Sequence, residues 1–126
     1  MLEVALILPL FLTVLAIIID GGIMLYDKAI ITNASREATR AGIVQPGIVT
    51  ARLTPLEIQA VATSRCSTML VTFGVGNVKT CSAVANNPDP LTVRVEVTYQ
   101  YTGLVWGTLF QSNWSKLFAT TSMSYE

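Results

Sequence analysis

Between residues 4 and 19 the chain reads VALILPLFLTVLAIII, an aliphatic run without charge, interrupted only by Pro9 and Thr13. Nothing else in the sequence constrains the fold as strongly. A surface helix of a soluble domain needs a polar face, and this segment has none. Continued through Gly21 and Gly22 to Tyr26, it is long enough at ~1.5 Å per residue to cross a ~30 Å hydrocarbon layer. Its resting place is a membrane or the core of an assembly. A carboxylate stands at each edge, Glu3 before the run and Asp20 after it.

The rest of the chain sets further bounds. With 126 residues there is room for one compact unit, and a head of about a hundred residues beyond the run has only a small core. Eight basic and eight acidic residues balance, with no stretch that concentrates Lys or Arg, which argues against nucleic-acid binding. Histidine is absent, which removes the commonest general base and metal ligand. No nucleophile–base or paired-carboxylate pattern stands out. The expectation is a protein that is not an enzyme and holds no cofactor or metal.

Topology poses a conflict. Lys28, Arg36 and Arg40 follow the apolar run and nothing basic precedes it, which by the positive-inside rule places the C-terminal part in the cytoplasm. The matched pair Cys66 and Cys81 argues for an oxidising compartment instead. A short basic leader ahead of Met1, removed after insertion, reconciles the two. A cleaved signal peptide is the rival reading, but no A-x-A site follows the run. The expectation is a retained anchor with an extracytoplasmic head. In domain terms, residues 1–26 form the hydrophobic segment and residues 27–126 the α+β head.

Residues 26–43 continue helically, with Ile23, Tyr26, Ile30, Ala34, Ala38 and Ala41 as one stripe and Glu37 pairing with Arg40 across a turn. Gly42 and Gln45-Pro46-Gly47 are expected to end this helix. A second helix starts at Thr54-Pro55-Leu56-Glu57, a capping box with Pro at the first helical position. Ile58, Val61, Ala62, Met69, Leu70 and Phe73 carry its period towards a stop at Gly74. After that the period changes to two. Residues 78–82 read as a short strand and residues 85–90 as a turn or loop. Residues 91–102 alternate strictly, the clearest strand, and residues 117–125 are expected to pair with it. Residues 105–110 are ambiguous.

Cys66 and Cys81 are expected to form a disulfide tying the second helix to the first short strand, since a zinc site needs more ligands than this chain offers. Tyr99, Tyr101, Trp106, Phe110 and Trp114 are expected in the core rather than as a binding platform. Asn33-Ala34-Ser35 and Asn113-Trp114-Ser115 match the glycosylation sequon, a motif common by chance.

Several of these residues together resemble the TadE-like family, pilin-like proteins of tight-adherence pilus systems. They are Glu3 opening the run, Pro9 inside it, Asp20-Gly21-Gly22, Tyr26, and Ser35-Arg36-Glu37-Ala38-Thr39-Arg40 after it. The closing Ser122-Met123-Ser124-Tyr125-Glu126 is similar to the family's ending. Ala38 and Thr39 replace the Gly and Ala usual in the motif. Glu3 stands two places earlier than the fifth mature position typical of pilin-like proteins, which sets the expected mature start upstream of Met1.

The resemblance implies a pilin-like α+β fold, with a long N-terminal hydrophobic helix carrying a head of one helix and an antiparallel sheet. It implies a subunit processed by a prepilin peptidase, handled by pilus assembly machinery, held first in the inner membrane and then polymerised into an extracellular adhesive filament. Glu3 would pair with the α-amino group of a neighbouring subunit, the alternative being a carboxylate that snorkels to water. Pro9 would mark a melted stretch or a tolerated kink. Asp20 would mark the membrane boundary rather than make a specific contact, and Arg36, Glu37 and Arg40 the family motif. A membrane-anchored extracytoplasmic binding or assembly module that does not itself polymerise, a minor pilin, is the second reading.

Overall fold

The computed structural model describes residues 2–44, 53–72, 81–89, 92–103 and 116–124, with the side chains of residues 2, 3 and 87–89 outside that description. Helix α1 runs unbroken over Leu2–Ile43. At ~1.5 Å per residue it is a rod of roughly 60 Å. It passes through Pro9, whose missing N–H removes one helical bond. The Thr13 hydroxyl donates to the Pro9 carbonyl at 2.8 Å, and no unwound stretch separates the two.

Helix α2 spans Pro55–Met69. Its start follows from local chemistry: the Thr54 hydroxyl accepts from the Glu57 N–H at 3.4 Å, and the Glu57 carboxylate accepts from the Thr54 N–H at 2.7 Å. Its end departs from the expected stop at Gly74. Leu70 turns extended and buries its side chain, while the next N–H, that of Val71, leaves the helix to donate to the Asp27 carboxylate at 3.0 Å. A tertiary acceptor thus ends the helix. Phe73 and Gly74 lie outside the described residues.

Three strands form an antiparallel sheet in the order β1-β2-β3: β1 at Cys81–Asp89, β2 at Thr92–Gln100 and β3 at Lys116–Ser124. The alternation read from the sequence holds in β2, where Val93, Val95, Val97 and Tyr99 face inward and Arg94, Glu96 and Gln100 face out. Tyr99 stands opposite Cys81 on one side and Leu117 on the other. The turn expected over residues 85–90 is corrected: β1 continues through it to Asp89, with its register shifting between Asn86 and Asp89. Pro88 cannot donate to a ladder, and an edge strand with an irregular register is where a sheet tolerates it. Residues 78–80 and 105–110 and Trp114 lie outside the described residues.

The core is the slab between helices and sheet. Ile30, Ile31, Ala34 and Ala38 of α1 and Ile58, Ala62 and Cys66 of α2 meet Ala85, Val93, Val95, Val97, Leu117 and Ala119. Small residues on α1 let the sheet come close. The Ser35 hydroxyl reaches the Val95 carbonyl at 3.0 Å and the Thr121 hydroxyl at 2.8 Å. Gly42 is also a close-approach position, since a Cβ there would meet Ile58 Cδ1 at 2.8 Å. The Cys66–Cys81 disulfide, with Cα atoms 6.2 Å apart, ties α2 to the start of β1.

The buried stripe on α1 sits about one residue round from the stripe the apolar residues suggest. Ile30, Ala34 and Ala38 are buried, but Tyr26 is exposed, and the inward face also takes Asp20, Asp27, Ser35 and Thr39. Polar side chains with partners are holding places that an apolar pattern assigns elsewhere.

Candidate functional site

Two regions of α1 can carry function: the bare apolar half, and the joint where the head begins. Over residues 4–19 nearly every side chain is exposed, with Leu6 at 72% and Ile18 at 69%. The described residues of the head leave this surface largely open. Counted from Val4, α1 is long and apolar enough to cross a membrane. Pro9 lies within this exposed half, and the Glu3 side chain lies outside the described ones.

The joint begins at Asp20, the first buried side chain described on α1. It is 2% exposed. The Tyr101 hydroxyl donates to its Oδ1 at 2.5 Å and lies 3.2 Å from its backbone carbonyl. Gly103 closes over it: a Cβ there would collide with the carboxylate. The segment leaving β2 must therefore lack a side chain at residue 103 for the chain to pass this close. Burial above all, and then the hydrogen bond and charge of Asp20, hold the Tyr101 phenol far above its usual range. It stays a neutral donor at any ordinary pH.

One heptad on, Asp27 is fully buried and accepts the Val71 N–H. Tyr99 is buried nearby, and burial holds its phenol above the usual range. Thr72 and Thr102 share a hydrogen bond at 2.7 Å beside it. On the next helix position Lys28 turns to β3, where its ammonium donates to the Phe118 carbonyl and sits 4.8 Å from that ring's centroid. The head thus holds two inward carboxylates and one cation of α1, through Tyr101 after β2, Val71 after α2 and Phe118 of β3.

Further along, the motif residues divide. Arg36 and Arg40 are exposed. Glu37 does not take the expected partner Arg40; it pairs with Arg65 of α2 at 2.8 Å, with both side chains about half exposed. The crossing of the two helices brings Arg65 nearer than a same-helix partner one turn away. Ser35, the third residue of a sequon, has its hydroxyl engaged with the sheet.

The structure brings Asp20 together with Tyr101 and Gly103, a cluster the sequence reading did not assemble. The available signal was spacing: Asp20 and Asp27 lie seven apart, on one helical face, within an otherwise apolar neighbourhood. Their partners lie some 80 and 44 residues away along the chain, where no local pattern points to them. Among the described residues no group of three or more His, Cys, Asp or Glu is arranged to hold a metal ion.

In comparison with known proteins, the family model described as TadE-like protein matches residues 1–40, the apolar half of α1 together with the stretch that the head grips. No curated protein and no solved structure matches the chain.

Proposed function

We propose that this chain, TadE-like over residues 1–40, is a structural pilin-like subunit of a tight-adherence, type IV-like filament. The carrying observation is that the described residues of the head leave the apolar half of α1 largely exposed while packing closely on the other half. Such a shaft is stable in a bilayer before assembly and in a bundle of like helices after it. Burying ten aliphatic side chains at ~1.5–3 kcal/mol each exceeds the roughly 4–15 kcal/mol of freedom lost on association. Affinity is thus supplied by the apolar surface alone.

Register needs something directional, and Glu3 is suited to it. An unpaired carboxylate inside such a bundle costs several kcal/mol, so subunits settle where it meets an amine of a neighbour. A prepilin peptidase and the pilus assembly machinery are the partners this role requires. The inner membrane and then the extracellular filament are its two locations.

The test is to shear cells, pellet the supernatant and look for this chain in filaments by electron microscopy. Glu3→Ala is expected to leave the subunit in the membrane and folded while lowering sheared filament yield. A normal yield would remove the register role. Filaments that lack the chain altogether would favour the membrane-anchored module that does not polymerise.

A further inference from the structure

The apolar run alone is short for a bilayer. Residues 4–19 rise about 24 Å at ~1.5 Å per residue, against ~30 Å of hydrocarbon. The fold lengthens it. Asp20, the next residue, is turned inward and covered by Tyr101 and Gly103, and Asp27 is likewise turned inward. What remains on the outer face from residue 20 onward is Gly22, Leu25 and Tyr26, all exposed and continuous with Ile18 and Ile19. The outward surface of α1 is therefore free of charge over residues 4–26, about 34 Å. Lys28, the first cation along α1, follows just past Tyr26, half-buried with its ammonium on the Phe118 carbonyl, so an aromatic residue and then a cation stand where a bilayer edge would fall.

The described residues of the head at this level are uncharged too. Tyr101 and Gly103 cover the Asp20 carboxylate, the Val71 N–H donates to Asp27, and Thr72 and Thr102 hydrogen-bond to each other. We infer that the head seats on the bilayer, with the hydrocarbon edge near Tyr26 on the open face of α1 and the 101–103 segment in the headgroup layer, shielding Asp20 from lipid. The occupant of the open face over residues 20–26 is lipid. A carboxylate in the outer turns of a span is costly unless it is paired and covered, and the Tyr101 hydroxyl and the bare Gly103 backbone supply both conditions. This rests on the membrane-held state of the proposed function.

The test uses single thiols in the full-length protein, whose two native cysteines are joined to each other and leave no background. Val14→Cys, Gly22→Cys, Leu25→Cys and Asn33→Cys all fall on exposed positions, and at Gly22 a Cβ meets nothing within 4 Å. Each variant is inserted into phosphatidylethanolamine–phosphatidylglycerol vesicles and treated with a charged, membrane-impermeant maleimide, with Asn33→Cys setting the accessible fraction. The expected result is loss of labelling at residues 14, 22 and 25, with residue 33 labelled. Labelling of residues 22 and 25 at the rate of 33, with 14 protected, would overturn the inference and put the edge at Asp20. Labelling of residue 14 as well would remove the membrane-held state itself, a distinguishable failure. Protection at residue 25 that vanishes on diluting protein into excess lipid would assign the face to a second copy and overturn the lipid assignment.

Discussion

At Gly103 the whole joint depends on a missing methyl group. The Asp20 carboxylate occupies the space that any side chain there would need. Gly103→Ala is expected to destabilise the detergent-solubilised protein by about 1–3 kcal/mol, read as a lowered melting temperature, because neither the helix nor the strand exit can give way cheaply. Tyr101→Phe removes one donor from a buried carboxylate and is expected to cost a similar amount, about 1–3 kcal/mol. The two losses should add to less than their sum, since both disturb the same contact. The phenol also has a pH signature. Its folded pKa is raised above the unfolded value of 10.0, so its contribution is fully present below pH 10.0 and is lost as pH rises beyond that. Melting curves across that range should decline more steeply for the wild type than for Tyr101→Phe.

The elements differ in what holds them. Helix α2 has a start written in its own first turn, the Thr54–Glu57 capping box. Thr54→Ala is expected to cost about 1 kcal/mol, measured by thermal melting. The Thr54 backbone and hydroxyl hydrogen bonds, in that order, hold the exposed Glu57 carboxyl below its ordinary value of 4.5. The stability it brings is therefore present above pH 4.5 and fades as pH falls through the lowered value. Glu57→Gln should flatten that acid limb. The Glu37–Arg65 pair across the two helices is half exposed and accordingly worth little. The sheet rests instead on β2, whose inward valines and Tyr99 are covered by both helices and both neighbours.

For the molecule as a whole, a long shaft holds a small head, and a small head has little core to spare. The Cys66–Cys81 bridge compensates by closing a loop with a sequence separation of 15, worth roughly 3 kcal/mol in the chain-entropy model. Reduction with a thiol is expected to lower the melting temperature of the head without releasing the apolar helix from detergent or membrane. Mass spectrometry of the unreduced protein should find residues 66 and 81 in one linked peptide pair. Two free thiols in protein taken from cells would remove the argument for an oxidising compartment.

The sequence by itself determined what depends on near neighbours. An apolar run without charge makes a helix that has no polar face to offer water, a capping box starts α2, and strict alternation makes β2. The antiparallel pairing of the last strand with β2 was legible as well, because both segments share that period. What only the tertiary structure decided depends on groups distant in the chain. Helix α2 ends at Met69 because Asp27, on another helix, captures the Val71 N–H. Strand β1 runs past Asn86 because the irregular edge of the sheet accepts a proline there. Glu37 reaches across to Arg65 because the two helices cross at that level. In one dimension Asp20 simply ends an apolar run. In three dimensions Tyr101 and Gly103 fold back over it, and a carboxylate with a buried donor no longer has to face water.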